Sequence, residues 1–200
     1  MRQHITINTS IRSQNLDPLN KLYKPAADDP FFNLEAGVEH YKLLASISDQ
    51  LKGSPTIYDL GTYKGFSALA LSNNKNINVI TYDIENVEDN INMKHINNIK
   101  FVVKDAYLDV TTFKDSPVIM LDIDPHDGIQ ETNIIKKLVE VGYRGIVICD
   151  DIHLNQGMRI FWRFVPSHLK KYDITDYGHA SGTGLIVFDT EYVSVEVEEV

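Results

Sequence analysis

Short apolar runs alternate with stretches of helical periodicity along most of this chain, and that alternation narrows the folds open to it more than any other feature. The runs are TIYDL (56–60), INVITYD (77–83), IKFVV (99–103), PVIMLD (117–122), GIVICD (145–150), KKYDITDY (170–177) and TGLIVFD (183–189). Helical patterns fall between them at Lys64 to Ser72, near Val87 to Ile96, at Ile129 to Val141 and at about Gln156 to His168. A further helix, from Leu34 to Leu51 and stopped by Gly53, precedes the first run. Strands separated by helices build a mainly parallel sheet covered on both faces. VIML and IVIC, apolar at every position, fit strands buried on both sides. The last two strand segments have no helix between them, only the loop from Gly178 to Gly184, so the sheet should end in a hairpin. The expected fold class is α/β: a doubly wound, seven-stranded, mainly parallel sheet with an antiparallel last strand.

With 200 residues, 43% of them hydrophobic, the chain buries one sizeable core. Residues 1–33 are polar and broken by Pro18, Pro25 and Pro30; they read as an N-terminal arm or lid whose Phe31 and Phe32 can pack on the same domain or on a neighbour in a homo-oligomer. Residues 34–200 form the single domain. Its tail, EYVSVEVEEV, alternates valine with polar residues and reads equally as a strand or a frayed end. A net charge of -9 excludes a phosphate-tracking surface and hence a nucleic-acid partner. Cys149 is the lone cysteine, which excludes an intrachain disulfide and a thiolate zinc cage. The N-terminus lacks the apolar stretch of a signal peptide, and no run of ~18 apolar residues occurs, so a soluble, cytoplasmic protein with no membrane contact is expected.

The strongest local signal is Asp59-Leu-Gly61-Thr62-Tyr63-Lys-Gly65-Phe-Ser67, between a buried strand and a helix. Two glycines four apart let the backbone turn sharply and let a ligand approach the main chain at a helix start. A dinucleotide site would favour GxGxxG, but position 63 is tyrosine. An acid two residues before the first glycine suits a ligand carrying a cationic amine better than a pyrophosphate. Asp83 closes the next strand, 22 residues after Gly61, where a carboxylate can accept both hydroxyls of a ribose. Asp105, followed by the small Ala106, ends the third strand and can receive an adenine amino group.

From about residue 34 to 189 the sequence resembles the class I S-adenosylmethionine-dependent methyltransferases, which have a Rossmann-like fold. The resemblance implies that Asp59, Gly61, Thr62, Tyr63, Gly65 and Ser67 form the cofactor loop. It implies further that Asp83 and the adjoining Ile84 hold the ribose and that Asp105 and Ala106 lie near adenine. Fold by itself does not establish the reaction.

The acceptor side is read from the carboxyl ends of the fourth and fifth strands, where Asp122 and Asp124 follow PVIML and Asp150, Asp151 and His153 follow GIVIC. Oxygen-rich groups of this kind suit Mg²⁺, Mn²⁺ or Ca²⁺. The pattern resembles metal-dependent O-methyltransferases of the catechol type and related sugar-modifying enzymes. That resemblance implies Asp122, Asp150 and Asp151 as ligands of a divalent cation, Mg²⁺ or Mn²⁺, with Asp122 also beside the cofactor. No lysine follows Asp122 where the catechol type keeps its base. His126 stands there instead, one residue beyond the Asp-x-x-His spacing of the sugar enzymes. Either His126 or His153 serves as the base, since imidazole titrates near working pH.

These residues predict an S-adenosylmethionine-dependent O-methyltransferase, metal-assisted, acting on a hydroxyl of a sugar, glycan or other small molecule. Three alternatives keep the same residues: a metal-independent methyltransferase with a histidine base, a nicotinamide-dependent oxidoreductase, and a non-catalytic binding subunit. Asp124 and Asp127 fit turn formation, and Glu39, His40 and Tyr41 fit a solvated helix face better than a pocket wall.

Overall fold

A computed structural model describes residues 1–22, 35–86 and 95–198. Its larger sheet contains β2 (Thr56–Leu60), β3 (Asn78–Asp83), β4 (Ile99–Val103), β5 (Val118–Leu121), β6 (Ile146–Cys149), β7 (Lys170–Asp173) and β8 (Gly184–Val187), ordered β4-β3-β2-β5-β6-β8-β7. All neighbours are parallel except β8, which runs antiparallel to both β6 and β7. The expected seven strands and antiparallel ending are therefore present. β8 is slotted inside the edge strand β7.

Side-chain alternation divides the core into two layers, as period-2 strands require. Val118 and Met120 of β5 and Ile146 and Ile148 of β6 face α2 (Glu35–Gln50) and α3 (Phe66–Leu71). Ile119, Leu121, Val147 and Cys149 face α4 (Ile129–Val141), α5 (Gln156–Arg163) and the 3-10 segment Ala106–Phe113. The helix expected to reach His168 ends at Arg163, ahead of Pro166, since a proline excludes the helical conformation from the residue before it. The helix expected at 87–96 lies largely outside the described residues. No helix among those described is long and apolar enough to cross a membrane.

The first 22 residues are not a loose arm. β1 (Gln3–Ile7) pairs in parallel with β9 (Val193–Val197), which takes the strand alternative for the C-terminal tail. Ile5, Ile7 and Ile11 and, from α1 (Asp17–Leu22), Leu19 are almost fully buried. At ~1.5–3 kcal/mol per buried aliphatic side chain, these four anchor the segment firmly. Gln50 of α2 fastens the strand further, accepting from Thr6 N–H at 2.7 Å and donating to Thr6 O at 3.1 Å. Phe31, Phe32 and the boundary at 33 lie outside the described residues.

The chain builds β2, β3 and β4 outward in one direction and then returns to lay β5 on the other side of β2. That reversal leaves a crevice at the carboxyl ends of β2 and β5, where open α/β sheets take their ligands.

Candidate active site

The loop from β2 to α3 closes against the end of β5. Gly61 has φ +101°, and a Cβ there would stand 1.6 Å from the carbonyl oxygen of Asp122, so only glycine permits this crossing. Gly65 caps α3 at φ +77°. Between them Tyr63 adopts a left-handed φ of 43° and donates its N–H to Asp83 Oδ2 at 2.9 Å. The Thr62 hydroxyl meets that of Thr81 at 2.6 Å, and Thr81 donates to Asp59 Oδ2 at 2.6 Å.

Beside this loop opens a cleft of about 520 Å³, within the ordinary range for a small-molecule site. Gly61, Thr62, Tyr63 and Ser67 line one wall. Asp83, Ile84 and Ala106 form the next, where the Ile84 side chain is 75% exposed. Asp122, against the Gly61 turn, and His126 line it as well. A glycine turn, a strand-end carboxylate, an exposed aliphatic side chain and a small residue make a fitting cradle for a nucleoside carrying an amino-acid tail.

Two expected cofactor contacts lie elsewhere. Asp59 is wholly buried beneath the loop and does not border the cleft, because it occupies the α2/α3 face of β2 while the cleft opens at the strand's end. Burial pushes its carboxyl up to about 6 against the lowering pull of the Thr81 and Ser67 hydroxyls, and its Oδ1 has no hydrogen-bond partner. Its observed contacts are those of a loop support rather than of a partner to a ligand's amine. Asp105 is exposed and caps the following 3-10 turn by accepting from Tyr107 N–H at 2.9 Å; its neighbour Ala106 reaches the cleft and Asp105 does not.

The acidic edge is richer in histidine than the sequence suggested. His126, with a left-handed φ of 55°, places Nε2 3.7 Å from Asp122 Oδ1, 3.5 Å from Asp124 Oδ1 and 3.8 Å from Asp151 Oδ2. His179, from the β7–β8 loop, lies 3.4 Å from Asp151 Oδ1 and 4.0 Å from Asp150 Oδ1, and both His179 and Asp151 contact the Ser181 hydroxyl. His40 of α2 is buried, with Nδ1 3.7 Å from Asp150 Oδ1. Burial lowers the His40 pKa despite Asp150, whereas the hydrogen bond to Asp151 raises that of His179. Burial raises Asp122 well above the usual carboxylate range, helped by the nearby Asp150 and Asp151. Burial opposes ionisation of Asp151 too, but hydrogen bonds from His179 and Ser181 outweigh it and hold that carboxyl low.

The three carboxylates expected to share a cation do not gather as one set. Among the described residues, donor atoms lying within 4.8 Å of one another form two groups that share Asp151: Asp122–His126–Asp151 and Asp150–Asp151–His179. The chain turns at Asp151 through a left-handed φ of 57°, and Asp151 belongs to both groups while Asp122 and Asp150 share neither. His153 is drawn off by the same turn. Its Nε2 pairs with Asp173 at 2.7 Å and it does not line the cleft, so of the two expected bases only His126 stands at the site. Asp127 accepts from Ile129 N–H at 2.8 Å in the turn ahead of α4, as a turn residue does. His40 and Tyr41 are buried and border the cleft, against the solvated-face reading. His179 was missed. Its one sequence signal is its loop, which follows a strand parallel to β6 and so must return over the same carboxyl edge.

Strand order, switch point and glycine loop together define the Rossmann-like methyltransferase fold. No family model and no curated protein matches the sequence. Among solved structures, a methyltransferase of Podospora anserina with S-adenosylhomocysteine bound is 14% identical, with a TM-score of 0.59 over 92% of this chain and 89% of its own. A methyltransferase from Geobacter sulfurreducens is 13% identical, with a TM-score of 0.57 over 91% of this chain and 97% of its own. A Staphylococcus aureus protein assigned as a caffeoyl-CoA O-methyltransferase is 12% identical, with a TM-score of 0.55 over 90% of this chain and 93% of its own. The chain shares their fold.

Proposed function

We propose that this protein is an S-adenosylmethionine-dependent O-methyltransferase acting on a hydroxyl of a small molecule or glycan. One observation carries the reading: the cleft runs without a break from the glycine loop and the Asp83–Ile84 strand end to the imidazole and carboxylates around Asp122. The donor's binding groups and a proton acceptor thus share one edge of the sheet. The solved neighbours named for methyl transfer, one with S-adenosylhomocysteine bound, support the choice of donor.

In this reading Asp83, whose oxygens already accept Tyr63 and Glu85 N–H, offers its remaining lone pairs to the ribose. Ile84 covers the adenine. The acceptor oxygen attacks the methyl carbon as the carbon–sulfur bond breaks, leaving S-adenosylhomocysteine and a methyl ether. The hydroxyl proton passes to Nε2 of His126, where Asp122, Asp124 and Asp151 stabilise the imidazolium that forms. Asp151, with its carboxylate and imidazole neighbours, would hold a divalent cation, whose chemistry is to lower the pKa of a hydroxyl and orient it. His126 with its three carboxylates also supports transfer without a metal.

Calorimetry with S-adenosylhomocysteine and with a nicotinamide dinucleotide, followed by methyl-release assays over glycosides and catechols with and without chelator, tests this. Binding of the former alone, with turnover on a hydroxyl acceptor, is the expected result. Failure to bind it overturns the reading.

A further inference from the structure

The sequence implies an all-carboxylate cation site on Asp122, Asp150 and Asp151, and the structure does not assemble one. We infer that the cation site is instead built from Asp150, Asp151 and His179, closed by His40, and that it selects a first-row transition ion over Mg²⁺. The inference deepens the proposed methyl transfer by naming the class of metal, and ion binding can be measured apart from turnover.

The spacing fits. Bonds of about 2.0–2.3 Å put neighbouring donor atoms roughly 3–4.5 Å apart around one ion. His179 Nδ1 lies 3.4 Å from Asp151 Oδ1 and 4.0 Å from Asp150 Oδ1, and His40 Nδ1 lies 3.7 Å from that same Asp150 oxygen.

A second observation is independent of the acidic cluster. The His40 side chain is only 5% exposed, and neither its Nδ1 nor Asp150 Oδ1 has a hydrogen-bond partner. A gap of 3.7 Å is too long for a hydrogen bond. Two buried polar atoms left without partners cost about 1–3 kcal/mol each, and an ion between them would satisfy both. The His40 and His179 rings meet edge to face at 5.9 Å, so the imidazoles bracket the carboxylates from different elements. The loop carrying His179 is held in place: Ile152 and His153 N–H donate to the carbonyls of Gly182 and Ser181 at 3.2 and 2.8 Å. The rival group around His126 is more open and contains no buried atom lacking a partner.

The donor chemistry decides the metal. Mg²⁺ prefers oxygen ligands in a near-octahedral shell and keeps much of its water. Imidazole nitrogens favour ions later in the series, through Co²⁺ to Zn²⁺. Two histidines on two carboxylates therefore move the preference away from Mg²⁺.

The full chain, stripped with chelator, is titrated with Co²⁺ and followed by calorimetry and by visible d–d absorption, which reports the donor set. One equivalent should bind with a spectrum unlike aqueous Co²⁺. Zn²⁺ should displace it, and about a hundredfold excess of Mg²⁺ should not. His179→Ala and, separately, His40→Gln should each weaken Co²⁺ at least about tenfold, while His126→Ala stays within about threefold of the wild type. Thermal melts and S-adenosylhomocysteine calorimetry in chelator identify folded variants, and His179→Gln replaces any that fails. An aqueous-type spectrum, Mg²⁺ competing on equal terms, or a loss of affinity in His126→Ala but not in the His179 variants would overturn the inference. S-adenosylhomocysteine binding in chelator is unaffected by that failure, so the methyl-transfer reading is judged separately.

Discussion

Asp59 is a carboxyl wholly enclosed beneath the glycine loop, with one oxygen bonded to Thr81 and the other unpartnered. Its pKa of about 6 in the folded protein, against an ordinary 3.8, means that the folded state holds the proton more tightly than the unfolded chain. Folding is therefore favoured at low pH. The contribution is complete below about pH 4 and is lost as the pH rises through about 6, and its size is about 3 kcal/mol, at ~1.4 kcal/mol per tenfold change in proton affinity. Asp59→Asn removes the titration while keeping an acceptor for Thr81. An unpartnered amide costs about 1–3 kcal/mol, but equally at every pH, so it cancels between conditions. Asp122 and Glu131 are shifted in the same direction and remain in both proteins. Urea unfolding of both proteins at pH 4.5 and 7.5 should show the variant gaining about 2 kcal/mol on the wild type, the part of the full contribution that is lost above pH 4.5, or about 4–8 °C in melting temperature for a domain of this size. A stability difference that does not change with pH would refute the raised pKa. A variant that loses ground as pH rises would show that the ionised carboxylate supports the fold.

The remaining predictions bear on the cleft. Gly61→Ala must displace the end of β5 or the glycine loop and adds left-handed strain of about 1–2 kcal/mol; S-adenosylhomocysteine binding by calorimetry should fall at least about tenfold, and unchanged affinity would contradict the loop geometry. His126→Ala should lower kcat by about 10²–10⁴-fold, while His153→Ala leaves kcat within about threefold and costs at most about 1 kcal/mol of stability, because its pair with Asp173 is well exposed. Kinetics in which the two variants exchange places would return the base to His153. Ile84→Ser should weaken S-adenosylhomocysteine about 10–100-fold, the value of burying an aliphatic side chain on binding, with no change in melting temperature, because the side chain is exposed before the ligand arrives. A drop in melting temperature with affinity intact would place Ile84 in the fold instead of the site.

What the sequence disclosed and what it concealed divide along one physical line, the range over which an interaction acts. VIML and IVIC identify central strands because burial on both faces is written into consecutive residues, and all eight are buried. Gly61 was readable because its constraint, a positive φ under a crossing backbone, admits almost no other residue. QHITI showed no such mark: its partner strand begins some 190 residues later, and its polar flanks resemble an arm until that pairing is known. The histidines follow the same rule. His153 drew attention by standing beside two aspartates, yet the left-handed turn at Asp151 sends it to Asp173 on the β7 side. His179, 26 residues further along, occupies the position that adjacency appeared to give His153, because β7 runs parallel to β6 and its loop must return over the same carboxyl edge. A site at a topological switch point gathers side chains from every loop at that edge. The direction of each strand, more than proximity in sequence to a conspicuous motif, therefore determines which of this chain's histidines can serve it.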